Sequence, residues 1–291
     1  MTSATPRPSL ITGVREVRET LAAVRREGKR IGLVPTMGAL HDGHLSLVRA
    51  SGDECDYTVV SIYVNPSQFG PSEDLNQYPR TLEADLDALA DLNVPLVFVP
   101  TDEEVYPSRF ATWVDVGSVA EPLEGASRPG HFRGVATIVL KLLGMVGPDA
   151  AYFGQKDYQQ ALVIRRMVED LNVPTAIRVC PIVREPDGLA MSSRNAYLSA
   201  DDRQRALVLW KSLSLAGDLV DRGERSAAVI AEKMRELILS AKDAEIDYVA
   251  LVDPDTLEPV GAIHGRTLAA LAVRIGRTRL IDNRLLDPPR R

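Results

Sequence analysis

Two of the four histidines in this chain lie in one octet, Met37, Gly38, Ala39, Leu40, His41, Asp42, Gly43 and His44. The octet separates an apolar run at 30–36 (RIGLVPT) from a segment with Leu45, Leu47 and Val48 at helical spacing. Where a strand hands over to a helix, exposed N-terminal amides and the helix dipole favour a phosphate. Gly38 and Gly43 allow the backbone to approach a ligand closely. Imidazoles three residues apart can both face that ligand and donate to it. The competing reading is a structural turn with two exposed histidines. A second cluster, Gly154, Gln155, Lys156 and Asp157 with Gln160 one turn on, again closes a strand and opens a helix. Lys156 can neutralise a phosphate as a point charge, while Asp157 is also a good helix cap. A third, Met191, Ser192, Ser193, Arg194 and Asn195, offers two hydroxyls and a guanidinium suited to phosphate oxygens, or is an ordinary polar loop. Gln68, in the run NPSQF at 65–69, follows a buried strand. With Gln160 it gives two amides at one sheet edge, suited to a polar ligand carrying hydroxyls and a carboxylate. Arg128, His131 and Arg133 (RPGHFRG) read as a basic loop before a helix, an anion contact or lid on one view and solvated charge on the other. No serine, cysteine or lysine stands beside a base as a covalent nucleophile would.

The elements that must position these residues follow from periodicity. Apolar runs at 30–36, 57–64 (YTVVSIYV), 96–100, 151–154 and 175–180 read as strands, nearly continuous as in sheets buried on both faces. Helical stripes at 43–51, 81–92, 135–145 and 157–171 lie between them. This alternation implies right-handed crossovers and a mostly parallel sheet, with ligands beyond the carboxyl ends of the strands. Near residue 186 the pattern changes. EPDG is turn chemistry. Two long helical patterns follow, at 201–222 and 226–241, with Gly223 as a plausible cap, then three strands at 246–252, 266–275 and 279–283. The chain therefore reads as two domains, 1–185 and 186–291: an α/β domain and a smaller α+β domain.

Composition bounds the function. The 291 residues are 45% hydrophobic, 25% charged and 5% aromatic, ordinary for a soluble globular chain with a core of its own. A net charge of −6 argues against a general nucleic-acid binder. Locally, 260–291 hold seven Arg and two Asp, a net +5 against −11 for the rest; this reads as a solvated basic surface or a docking patch. Two cysteines, Cys55 and Cys180, make no disulfide framework. The N-terminus lacks the apolar region of a signal peptide, no apolar run can span a bilayer, and a cytoplasmic location is expected. There is no G-x-G-x-x-G, no G-x-x-x-x-G-K-[ST], no H-E-x-x-H and no G-x-S-x-G, so any nucleotide is held in another way.

Taken together, VPTMGALHDGHLSLVRAS, SIYVNPSQFG, YPRT, FGQKDYQQ and GLAMSSRNAYLS closely resemble the pantoate–β-alanine ligase (pantothenate synthetase) family, in family order, over residues 10 to 285. The H-x-G-H element alone marks only the wider nucleotidyltransferase superfamily shared with class I aminoacyl-tRNA synthetases. The resemblance implies a Rossmann-like parallel sheet with helices on both faces, and a smaller C-terminal domain that closes over the site. It implies that (R)-pantoate attacks the α-phosphorus of ATP to give pantoyl adenylate and pyrophosphate. The amine of β-alanine then releases AMP and forms pantothenate, a step of coenzyme A biosynthesis. ATP contacts are implied for Met37, Gly38, Ala39, Leu40, His41, Asp42, Gly43, His44, Gly154, Gln155, Lys156, Asp157, Val183, Met191, Ser192, Ser193 and Arg194. The catalytic set within these is His44 (in the proton-donor position), His41, Lys156, Ser192, Ser193 and Arg194. Gln68 and Gln160 are implied for pantoate and Gln68 for β-alanine. Magnesium accompanying the ATP, a homodimer, and no membrane or nucleic-acid partner complete the implied picture. Ala84 stands where relatives can carry a carboxylate, leaving Asp85 as the local magnesium candidate. The rivals are another nucleotidyl-transferring enzyme, which would lack the paired glutamines, and a nucleotide-binding regulator without the chemistry.

Overall fold

The computed structural model describes residues 7–71 and 73–289, so the first six residues, part of the stretch read for a signal peptide, and Arg290 and Arg291 of the basic segment lie outside it. The described residues divide into two compact units. One holds the chain up to Gln155 with Gln159–Pro181. The other holds Lys156–Tyr158 and the chain from Ile182 on.

In the first unit the elements run β1 (Ser9–Ile11), α1 (Val14–Arg26), β2 (Ile31–Thr36), α2 (Asp42–Glu54), β3 (Tyr57–Ile62), α3 (Leu82–Ala90), β4 (Leu96–Phe98), α4 (Asp102–Val105), α5 (Glu124–Ser127), α6 (His131–Val146), β5 (Ala150–Gly154), α7 (Tyr158–Asp170) and β6 (Ala176–Cys180). The strands form one parallel sheet in the order β1-β4-β3-β2-β5-β6. After β2 the chain builds β3 and β4 to one side, then returns to lay β5 and β6 on the other. The reversal lies between β2 and β5, where the carboxyl ends of an α/β sheet open a crevice for ligands. The sequences that follow β2, β3 and β5 are the histidine octet, the run with Gln68 and the run with Lys156.

Alternation along the strands explains the layering. Val34, Val60, Val97 and Tyr152 pack with Leu47, Val48, Leu86 and Leu89 of α2 and α3. Gly32 is demanded by this packing, because a Cβ there would collide with the Ser51 hydroxyl and stand 3.2 Å from Cys55 Sγ and from the Tyr152 ring. The strand expected at 151–154 and the helix expected at 43–51 are thus present, the strand one residue longer and the helix four. β1, α1, α4 and α5 were not foreseen; a three-residue strand carries too few alternations to stand out.

In the second unit, α8 (Ala200–Asp221) and α9 (Ala227–Leu239) join an antiparallel sheet of β7 (Ala244–Val252), β8 (Thr267–Ile275) and β9 (Thr278–Leu286). Leu209, Leu213, Ile230, Met234, Leu271 and Val273 make its core. Ser199 and Ser226 cap the two helices by accepting from Asp202 and Val229 amides. Gly223, at φ +99, turns the chain between them. Arginines of the basic segment have partners in or beside this sheet: Arg266 with Asp287, Arg279 with Asp247, and Arg284 over the Trp210 ring. Among the described residues no helix is long and apolar enough to cross a membrane.

Gly32→Ala is expected to destabilise the chain by about 1–3 kcal/mol through overpacking. Urea unfolding followed by fluorescence checks this, and an unchanged midpoint would contradict the packing.

Candidate active site

Past β2 the backbone turns sharply. Thr36 Oγ1 donates to the Ser61 carbonyl and accepts from the Gly38 amide. Gly38 has φ +82 and Ala39 φ +50; the second is a left-handed conformation that costs an alanine about 1–2 kcal/mol. The buried carboxylate of Asp85, on α3, holds it there. Its Oδ2 accepts from the Ala39 amide at 3.0 Å and its Oδ1 from the Leu40 amide at 2.9 Å. Thr81 Oγ1 adds a third donor at 3.1 Å. Asp85, noted in the sequence only as a magnesium candidate, is therefore engaged in shaping this corner.

The two histidines then cap α2. His41 is the N-cap, and its Nδ1 accepts from the Gly43 amide at 3.1 Å. His44 Nδ1 accepts from the His41 amide at 3.4 Å. This is a capping box built from imidazoles, and a capping box requires a spacing of three. Each Nδ1 is an acceptor, so in the neutral ring the proton sits on Nε2. The rings lie with centroids 4.1 Å apart, tilted by 37°. Both Nε2–H donors therefore belong to one patch at the start of α2, where the helix dipole already favours negative charge.

Gln68 meets the same corner. Its amide lies 3.0 Å from Met37 Sδ, and its Oε1 accepts from Asn65 Nδ2 at 3.1 Å. Asn65 is 1% exposed. Its Oδ1 takes the hydroxyls of Ser67 and Tyr106 at 2.9 and 2.7 Å, and its Nδ2 also reaches the Gly134 carbonyl. Asn65 and Tyr106 were missed as site-building residues; an asparagine before proline reads first as a turn former.

The segment RPGHFRG is corrected by the structure. It is not a loop throughout, because α6 begins at His131 and includes Arg133. Arg128 makes a two-pronged pair with Glu73 at 2.8 and 2.6 Å, and its Nη1 reaches His131 Nε2 at 3.1 Å. His131 Nδ1 lies 2.8 Å from the Gln68 carbonyl. Burial, helped by the Arg128 charge, pushes the His131 imidazole down to about 4; the Gln68 carbonyl, Glu124 and Glu73 oppose this. Burial pushes the Glu73 carboxyl up, but Arg128 more than offsets it and leaves Glu73 below its usual range.

Gly154 ends β5, the neighbour of β2, and Gln155 opens a 3-10 turn to Asp157. Gln160 is half-buried in the first turn of α7.

The remaining candidates belong to the second unit. Lys156, with Nζ 3.4 Å from Asp157 Oδ1, has its carbonyl held by Asn283 Nδ2 at 2.9 Å. Val183 and Met191 are joined by a backbone hydrogen bond at 3.0 Å. Within the segment 191–195, Ser192 caps a 3-10 turn, Ser193–Tyr197, its Oγ accepting from the Arg194 amide. Asn195 anchors it to Glu185 and to the Ala190 carbonyl. Below, Arg184 pairs bidentately with buried Asp282 and lies 4.0 Å from the centre of the Trp210 ring. Asn283 was also missed, since a polar residue on a strand pattern gives no sign of its partner.

Residues 9–285 match the sequence model of pantoate–β-alanine ligase. A pantothenate synthetase of Moorella thermoacetica is 55% identical over 278 residues, 96% of this chain and 98% of that protein. One from Roseiflexus is 54% identical over 96% of this chain and 99% of its own length. The crystal structure of pantothenate synthetase from Thermus thermophilus superposes with a TM-score of 0.90 at 44% identity, covering 94% of this chain and 98% of that one.

The chain belongs to the pantoate–β-alanine ligase family. Its reaction is the ATP-dependent condensation of pantoate with β-alanine through pantoyl adenylate, with ATP as a substrate. The family's structures share the six-stranded parallel sheet and the small antiparallel sheet described above. The Francisella tularensis ligase, with a TM-score of 0.80 at 35% identity and covering 96% of this chain and 97% of that one, was crystallised with β-γ ATP and β-alanine.

His41→Ser keeps a capping oxygen but removes the imidazole donor, whereas His41→Ala also loses the cap. The alanine variant is expected to be less stable than the serine variant by about 1 kcal/mol in urea unfolding, with both impaired in adenylate formation; equal stability would refute the capping role. For His131, the folded value lies below the unfolded one. Above about pH 6.5 both states are neutral; below it the unfolded chain takes up the proton first. Stability is therefore expected to fall by about 3 kcal/mol between about pH 6.5 and 4, and then to level for this group. Comparing acid unfolding of the wild type and His131→Asn checks this, since the variant should lose that part of the pH dependence.

Proposed function

We propose that the corner at 37–44 and the Lys156 and Ser192–Arg194 groups together bind ATP and stabilise the charge that develops at its α-phosphorus. A carboxylate oxygen of pantoate attacks that phosphorus, and the bond to the pyrophosphate oxygen breaks. The amine of β-alanine then attacks the acyl carbon, gives up its proton, and AMP leaves with the electron pair of the acyl–oxygen bond. The first displacement is catalysed mainly by positioning and charge stabilisation. The observation that carries this reading is the imidazole capping box: His41 Nδ1 and His44 Nδ1 both accept from backbone amides, which assigns the protons of the neutral rings to Nε2, as donors suited to phosphate oxygens. Lys156 supplies a point charge, and Ser192, Ser193 and Arg194 supply hydroxyl and guanidinium donors. The remaining ATP contacts fall to Gly154, Gln155, Asp157, Val183 and Met191. Gln68 and Gln160 hold the hydroxyls and carboxylate of pantoate, with Gln68 also near β-alanine. Residues 1–185 are the ATP- and pantoate-binding catalytic domain, and residues 186–291 the lid domain.

Magnesium enters with ATP as the metal–nucleotide complex. Among the described residues no three His, Cys, Asp or Glu side chains gather around a cation site, and Asp85, the local candidate, already accepts from two amides and a hydroxyl. Magnesium bound with a nucleotide commonly takes phosphate oxygens and waters with one or two carboxylates, and no step is assigned to it. The protein works in the cytoplasm as a homodimer.

Exchange of labelled pyrophosphate into ATP tests the first half-reaction. It is expected to require pantoate and to proceed without β-alanine. His44→Ala and Lys156→Ala are each expected to lose roughly 10²–10³ in its rate while remaining folded. Pantoate-independent exchange, or a normal rate in either variant, would contradict the assignment.

A further inference from the structure

The histidine at the start of α6 is one that the reaction itself does not use. Its two ring nitrogens have partners of opposite kind. Nδ1 faces the Gln68 carbonyl, which can only accept, so Nδ1 carries the proton. Nε2 faces Arg128 Nη1, which can only donate, so Nε2 is bare. A single neutral tautomer, opposite to that of His41 and His44, satisfies both contacts. Arg128 is itself fixed in two places by Glu73 and extends a weaker 3.4 Å contact to the same Gln68 carbonyl. The first turn of α6 reinforces this from the same side. Gly134 packs so closely on residues 67 and 68 that a Cβ would collide with the Ser67 carbonyl, and its own carbonyl accepts from Asn65. The backbone of Gln68 is thus clamped from the helix, while Asn65 and Met37 hold its side chain.

We infer that His131 is a positioning residue for pantoate: through Nδ1–H it locks the Gln68 main chain, oriented in turn by the Arg128–Glu73 pair, so that the Gln68 amide is preset for the substrate. This rests on the assignment of Gln68 to pantoate. The physical basis is that a group supporting a binding side chain acts by restricting its geometry, and small displacements of such side chains are costly. His131 touches no reacting atom in this scheme, so its loss alters pantoate use without altering ATP use.

Steady-state kinetics of folded variants test it. His131→Leu is expected to raise the KM for pantoate roughly 10–100-fold, leaving the KM for ATP within about twofold of wild type. His131→Asn can still donate from its amide to the Gln68 carbonyl, and is expected to recover most of the loss. A folded His131→Leu with wild-type pantoate KM, or a His131→Asn as impaired as the leucine variant, would overturn the inference. If His131→Leu does not fold, Glu73→Gln decides. Releasing Arg128 is expected to raise the pantoate KM severalfold, and a wild-type value would overturn the inference. Gln68→Ala separates the two layers of the argument. An unchanged pantoate KM there refutes the assignment of Gln68 itself. An impaired Gln68→Ala beside a normal His131→Leu refutes only the positioning role.

Discussion

The site depends on one constraint: the backbone amides released at the end of β2 must all find acceptors. A strand that stops in the middle of a parallel sheet and starts a helix within a few residues exposes several donors at once. Here Thr36 takes the Gly38 amide, Asp85 takes those of Ala39 and Leu40, His44 takes that of His41, and His41 takes that of Gly43. Asp85 and the two histidines also shape the proposed ligand patch. Asp85 keeps an alanine in a left-handed conformation that it would otherwise avoid. The histidines, by accepting at Nδ1, are obliged to present Nε2–H. The local need for hydrogen bonds and the chemistry of the proposed phosphate site thus call for the same residues at the same spacing.

A second layer supports the first. Asn65 and His131 are buried polar groups whose hydrogen bonds point at the Gln68 segment, and buried polar networks specify geometry when every member is satisfied. The His131 tautomer follows from Arg128 on one side and a carbonyl on the other. In the second unit, Asn283 does for the Lys156 carbonyl what His131 does for that of Gln68. The buried Asp282–Arg184 pair, stacked on Trp210, stiffens the strand that carries Asn283.

Much of this was legible before the fold was known. The strands β2, β3 and β5 and the helices between them could be read because they are long apolar runs, and the histidine octet stood at the strand-to-helix handover that the structure contains. The Asp85 contacts could not be read. They join residues 46 and 45 positions apart, and nothing local to 82–90 marks a carboxylate aimed at another loop. His131 was visible as a residue, but its helix was expected four positions later, so it passed for part of a polar loop. The hydrophobic stripe shows where a helix is buried; where it begins is decided by caps and by packing against distant backbone. The basic segment reads as surface charge, and what the sequence does not show is the pairing of Arg266 with Asp287 beside the small sheet and of Arg279 on β9 with Asp247 on β7.

The account stands most directly on the tautomers of His41 and His44. A long-range proton–nitrogen correlation spectrum of imidazole-labelled protein near neutral pH reads them without a substrate. The predicted result is Nε2–H for both rings, with His131 showing Nδ1–H in the same spectrum. A proton on Nδ1 of His41 or His44 would break the capping box and contradict the claim that backbone satisfaction sets the donors of the site.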